Sequence, residues 1–194
     1  LSEKNDELWL ESVTLNQISK EFGTPCYVYS KSAIENNFKA YETALSQQKH
    51  MICFAVKANP NISVLQTLAK LGSGFDIVSL GELERVLVAG GDPKKVVFSG
   101  VGKSLVEMRR ALDLGIFCFN VESESELNLL NETATKMGKV APISIRVNPD
   151  IDAKTHPYIA TGLKESKFGV NISCAEEIYM RAANMAAIKI IGID

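Results

Sequence analysis

Lys57 closes an apolar run. Residues 51–56 are all apolar or small, and the chain then passes through Lys57 to Asn59-Pro60, a pair that stops a strand. Burying an ammonium costs several kcal/mol unless it loses its proton or its stem reaches water. A lysine in that place is either a surface cation on a buried stem or an amine available as a nucleophile.

Strand parity suggests which residues share its surroundings, because successive side chains on a strand point to opposite faces. In the run 74–79, Asp76 and Val78 alternate with Phe75 and Ile77. In 117–122, Cys118, Asn120 and Glu122 oppose Phe117, Phe119 and Val121, and in 141–148 Ser144, Arg146 and Asn148 oppose Ile143, Ile145 and Val147. The inward set read this way is Cys53, Ala55 and Lys57, then Asp76, Ser99, Asn120 and Arg146. Asp76 and Arg146 suit a functional site and suit equally a buried structural ion pair.

Three further stretches have chemistry-bearing residues. The segment 150–169 is long for a connection and contains His156, Tyr158, Lys164 and Lys167, which favours a functional loop over a linker. Ser99-Gly-Val-Gly-Lys-Ser104 sits between a strand and a helix as a phosphate loop would, but the first glycine of that motif falls on Val97. It reads as a turn. Gly72-Ser-Gly74 precedes a strand, so it too is a turn and not a dinucleotide fingerprint.

The elements that must position these residues repeat. Strand-like runs end near Lys57, Ser79, Ser99, Val121 and Val147, at intervals of roughly two dozen residues, and a sixth apolar run covers 188–193. Between them the spacing predicts amphipathic helices over 61–71, 80–89, 104–114 and 123–137, with Gly72, Gly90, Gly115 or Gly138 at or past the end. Alternating strands and helices imply a parallel sheet, either doubly wound or a barrel. Strands covered on both faces would be continuously apolar, so the polar alternation favours an α/β barrel with helices on one side only. Lys57 then stands at the strand ends where barrels keep their chemistry.

Residues 1–30 lie outside the repeat and read as an N-terminal arm, with a helix over 14–22 and a short strand over 26–29. Residues 31–194 begin with a helix reaching about residue 48 and hold the barrel.

The chain has 194 residues, 46% hydrophobic and 23% charged, enough for one sizeable core. A net charge of −2 without a Lys/Arg run argues against nucleic acid or an anionic membrane as main partner, and leaves small molecules. The first residues form no leader-like pattern, and no apolar run approaches the ~18 residues of a membrane span. A cytoplasmic protein is expected. Cys26, Cys53, Cys118 and Cys174 have no C-x-x-C spacing and read as buried free thiols. His50 and His156 lie far apart, so no histidine metal motif exists and no metal is invoked.

Several motifs together resemble the diaminopimelate decarboxylase family of fold-type III pyridoxal-phosphate decarboxylases. They are Phe-Ala-Val-Lys-Ala-Asn at 54–59, Gly-Ser-Gly-Phe-Asp-Ile-Val-Ser at 72–79 with Gly-Glu-Leu-Glu at 81–84, Val-Phe-Ser-Gly-Val-Gly-Lys at 97–103, Asn-Val-Glu-Ser at 120–123, Arg-Val-Asn-Pro at 146–149 and Asp-Ala-Lys-Thr-His-Pro-Tyr at 152–158, then Thr161-Gly-Leu-Lys164 and Lys167-Phe-Gly169. The likeness runs from about Tyr27 to Asp194. It implies a partial (β/α)8 TIM-like barrel of the alanine-racemase type, with the N-terminal arm part of a β-domain otherwise missing. It implies pyridoxal 5'-phosphate as cofactor and conversion of meso-2,6-diaminopimelate to L-lysine, with a homodimer as the whole enzyme. Lys57 matches the lysine that binds the cofactor covalently. Ala55 leaves room for its ring, Asp76 and Arg146 lie around it, and Glu82 is a carboxylate near them.

The family continues beyond the equivalent of Asp194 into a His-Ile-Gly-Ser segment, a glycine loop for the phosphate, a Glu-Pro-Gly-Arg segment and a β-domain. This chain is therefore read as a fragment, inactive by itself. Related decarboxylases of ornithine, arginine or carboxynorspermidine, an alanine-racemase-like enzyme, and a non-catalytic cofactor-binding barrel are the alternatives.

Overall fold

A computed structural model describes residues 1–151 and 168–194, which fall into two compact units, Leu1–His50 and Met51–Asp194. In the first, β1 (Ser2–Lys4), β2 (Glu7–Leu10) and β3 (Val13–Thr14) form an antiparallel meander. Lys4 pairs with Glu7 around Asn5-Asp6, whose φ values of 52° and 58° are those of the mirror-image hairpin turn that Asn and Asp tolerate. Reading 1–30 as an arm misses this sheet, because strands of two to four residues are too short for alternation to register.

Helix α1 (Leu15–Phe22) begins at Thr14, whose hydroxyl accepts from the Gln17 N–H at 3.1 Å while the Gln17 side chain accepts from the Thr14 N–H at 3.2 Å. The strand expected over 26–29 is absent among the described residues. Tyr27 is 91% exposed, and an apolar run without a neighbour to pair with does not make a strand. Helix α2 (Lys31–Ala44) starts at its Ser30 cap and ends before the expected residue 48. There the Gln48 N–H closes a turn on the Leu45 carbonyl. Glu11 ties the meander to this helix start, accepting from the Ser30 hydroxyl at 2.6 Å and from the Ser32 N–H and hydroxyl, each at 2.8 Å.

The second unit is built on six parallel strands: β4 (Cys53–Ala55), β5 (Gly74–Ile77), β6 (Val96–Phe98), β7 (Cys118–Val121), β8 (Ala141–Ile145) and β11 (Ile188–Ile193). Short strands β9 (Val147–Asn148) and β10 (Val170–Asn171) pair separately. In the large sheet, strand order follows sequence order from β4 to β11. A doubly wound sheet reverses direction at a switch point, so the monotonic order is that of a barrel arc.

Helices α3 (Ile62–Lys70), α4 (Leu80–Val88), α5 (Leu105–Leu114), α6 (Glu124–Lys136) and α7 (Ile172–Ala183) fill the crossovers. Asn61, Ser79, Ser104, Ser123 and Asn171 each accept from an N–H in the first turn, which explains why α3 to α6 start within a residue of the sequence expectation, whereas α7 lies in a stretch where no helix was expected. Phe75, Ile77, Phe98, Phe119, Val121, Ile143 and Ile145 are fully buried, together with Leu65, Leu83, Met108, Leu127 and Leu130 from the helices. Each such side chain contributes about 1.5–3 kcal/mol relative to exposure. Gly74 lets the turn pass close to β4 and to residue 95. A Cβ there would lie 2.7 Å from both Cys53 Sγ and the Lys95 carbonyl.

Among the described residues all four cysteines are free, yet only Cys118 is buried; Cys26 and Cys174 are exposed and Cys53 is half-buried. Apolar neighbours in sequence did not translate into burial for Cys26, which follows α1, or for Cys174, in the first turn of the helix over Ile172–Ala183. No described helix is long and apolar enough to cross a membrane.

Candidate active site

The face of the sheet opposite the helices is polar, as parity suggests. Four adjacent strands carry a hydrogen-bonded chain across it. The Ser144 hydroxyl donates to Asn120 Oδ1 at 2.6 Å, Asn120 Nδ2 to Ser99 Oγ at 3.2 Å, and the Ser99 hydroxyl to Asp76 Oδ1 at 2.6 Å. Every donor points the same way, toward the Asp76 carboxylate. These side chains line a cavity of about 370 Å³ together with Cys53, Val97, Cys118 and the β11 residues. Burial, with a smaller push from the Asp76 charge, raises the Cys53 thiol to about 11. Cys118 is also raised, chiefly by burial.

Lys57 lies just past β4. The strand stops at Ala55, and Val56–Ala58 form a 3₁₀ turn in which Val56 is fully buried and Lys57 exposed. The 3₁₀ turn ends the regular strand at Ala55, so strand parity by itself does not fix the face on which the Lys57 side chain lies. Among the described residues its amine has neither a hydrogen bond nor an ion pair. Ala55 stands directly opposite Asp76 in the β4–β5 register, so the turn bearing the free amine leaves the strand beside the carboxylate.

Glu82 is in the first turn of α4, where its carboxylate accepts from the Val78 N–H at 2.7 Å. That contact fixes the turn from β5 into the helix, just after Asp76.

Arg146 does not pair with Asp76. Those residues belong to β5 and the end of β8, three strand spacings apart, or roughly 14 Å. The guanidinium meets Glu122, one strand away, with Nη1 at 3.0 Å from Oε1, and stacks over the Phe168 ring at 4.7 Å from its centroid. Nε is 3.9 Å from Asp194.

A second buried pair was not legible as such. Lys103 Nζ donates to Glu126 Oε1 at 2.8 Å and to the carbonyls of Gly100 and Asn120 at 2.8 and 2.7 Å. Burial pushes the Glu126 carboxyl up, against the opposing pull of Lys103. With all three ammonium hydrogens used, the 99–104 stretch is a structural turn and not a phosphate loop. Of the residues sequence reasoning passed over, Ser144 and Glu122 had a signal, their polar parity. Lys103 and Glu126 had none, being 23 positions apart on elements whose packing no local pattern specifies. His156, Tyr158, Lys164 and Lys167, expected in a functional loop, lie outside the described residues.

Comparison with known proteins fits this geometry. A family model described as "Pyridoxal-dependent decarboxylase, pyridoxal binding domain" matches residues 31–194. The chain belongs to this family. Within the pyridoxal-dependent decarboxylases it is 58% identical over 193 residues to diaminopimelate decarboxylase of Pseudomonas aeruginosa, covering all of this chain and 46% of that protein. Among solved structures it is similar to diaminopimelate decarboxylase from Helicobacter pylori complexed with L-lysine, at 47% identity and TM-score 0.89, over 92% of this chain and 45% of that one. The M. jannaschii enzyme in co-complex with L-lysine gives 35% identity and TM-score 0.91, over 98% and 46%. The chain thus spans about half the length of the curated relatives it matches.

Proposed function

We propose that the protein carrying this chain binds pyridoxal 5'-phosphate through Lys57 and decarboxylates meso-2,6-diaminopimelate to L-lysine. The observation that carries this reading is the Lys57 amine, unpartnered among the described residues and just past the C-terminal end of a barrel strand, in a chain 58% identical to a diaminopimelate decarboxylase throughout its length. The cofactor fits what is present: an aldehyde needs an accessible amine, and a flat polar ring needs a concave surface with hydrogen-bonding groups. When bound, pyridoxal phosphate supplies an electron sink for the pair left behind as carbon dioxide departs.

The chain's own residues do the holding. Lys57 supplies the attachment, and Ala55, with only a methyl group, leaves space beside it. Asp76 presents a carboxylate kept in place by the Ser99 hydroxyl. Glu82 and Arg146 complete the cofactor's surroundings in this reading. Residues 1–30 belong to a β-domain contributed mainly by other parts of the protein, residues 31–194 to the cofactor barrel, and the working form is a cytoplasmic homodimer.

Carbon dioxide release by the full-length protein from diaminopimelate, ornithine, arginine and carboxynorspermidine tests the substrate. Release from diaminopimelate with a kcat/KM at least on the order of a hundredfold above the others is expected. Preference for another amine, or racemisation without release, would overturn it.

A further inference from the structure

Glu122 is placed to organise the rim at which Arg146 stands. Its side chain is 2% exposed, a position in which a carboxylate survives only when fully partnered. It has those partners. Oε1 accepts from the Gly100 N–H at 3.0 Å and from Arg146 Nη1 at 3.0 Å, and Oε2 accepts from the Gly169 N–H at 3.1 Å. The three donors come from three different connections: after β6, after β8, and just before β10.

Glu122 is itself held. Its backbone N–H donates to Glu126 Oε2 at 3.1 Å, and Glu126 is bound by the buried Lys103 ammonium. The Arg146 backbone is fixed as well. Its carbonyl accepts from the Val170 N–H at 2.8 Å, and Gly169 approaches so closely that a Cβ would lie 2.7 Å from that carbonyl.

We infer that Glu122 is a positioning residue for Arg146, setting the guanidinium in one orientation at the strand ends while tying down the backbone at Gly100 and Gly169. It acts on ligand through Arg146 and touches none itself. Taking one Nη1 edge and much of the charge, Glu122 leaves Arg146 a directional donor with a restricted approach, suited to an oxygen of bound cofactor or substrate. This rests on the reading that Arg146 faces the cofactor.

The test uses the full-length protein with Glu122→Gln, Arg146→Gln and the double variant, titrated with pyridoxal phosphate by absorbance. Each single change is expected to weaken cofactor affinity on the order of tenfold, and the double change no more than the worse single one, because both remove the same interaction. Glu122→Asp, which keeps the charge, is expected to recover part of the loss. Additive losses, or wild-type affinity in Glu122→Gln, would overturn the inference.

Amide hydrogen exchange on the wild type needs neither variant nor cofactor. Gly100 and Gly169 should be protected comparably to the amides of β7, and rapid exchange at both would overturn the tie. A wild type that binds no pyridoxal phosphate yet shows this protection would sink the proposed function while leaving the tie in place. It would remove the assignment of Arg146 as the ligand-facing group.

Discussion

Lys57 and Cys53 are four residues apart in the chain and lie in different surroundings. Lys57 stands in the 3₁₀ turn that follows β4, and its amine is exposed and, among the described residues, unpartnered. Cys53 remains in β4 and lines the cavity, where burial and the Asp76 charge disfavour its thiolate. The ordinary thiol value is about 8.5, so Cys53 should react slowly with iodoacetamide at pH 8. Its rate should rise with pH toward an apparent pKa near 11. Labelling of Cys53 as fast as Cys26 at pH 8 would contradict this. The composition of the polar face was readable from parity at Asp76, Ser99 and Asn120, but the Arg146 partner was not. Parity gives a face, while pairing depends on strand neighbours, and β7 stands between β6 and β8 with its Glu122 nearer than anything on β5.

Helix starts were the most legible elements, because a capping side chain is a local signal: Ser79, Ser104 and Ser123 each mark a start by accepting from an N–H two to three residues into the helix. The antiparallel meander was not legible, since its order comes from turns and from one long-range carboxylate. Hydrogen bonds from Ser30 and then Ser32 hold Glu11 at a pKa of about 2, well below the ordinary 4.5. A carboxyl depressed in the folded state stabilises above its unfolded pKa, and that contribution is lost as pH falls from 4.5 to about 2. Glu11→Gln should therefore lower the thermal midpoint at pH 7, with the gap to wild type closing as pH falls through this window. A gap unchanged at pH 2 would show that the carboxylate charge contributes nothing to holding the start of α2.

Across the whole molecule, the monotonic parallel order from β4 to β11 and the one-sided helices were both implied by polar alternation at regular spacing. That architecture brings groups from four strands onto one concave face, which no single motif contains. The placement of the cofactor on Lys57 is the claim on which the functional reading turns. Full-length protein incubated with pyridoxal phosphate, reduced with borohydride, digested and analysed by mass spectrometry reports directly which lysine carries it. The pyridoxyl mass is expected on the peptide containing Lys57 and should vanish in Lys57→Ala. The same mass on a different lysine, or an unmodified Lys57 in fully loaded protein, would contradict it.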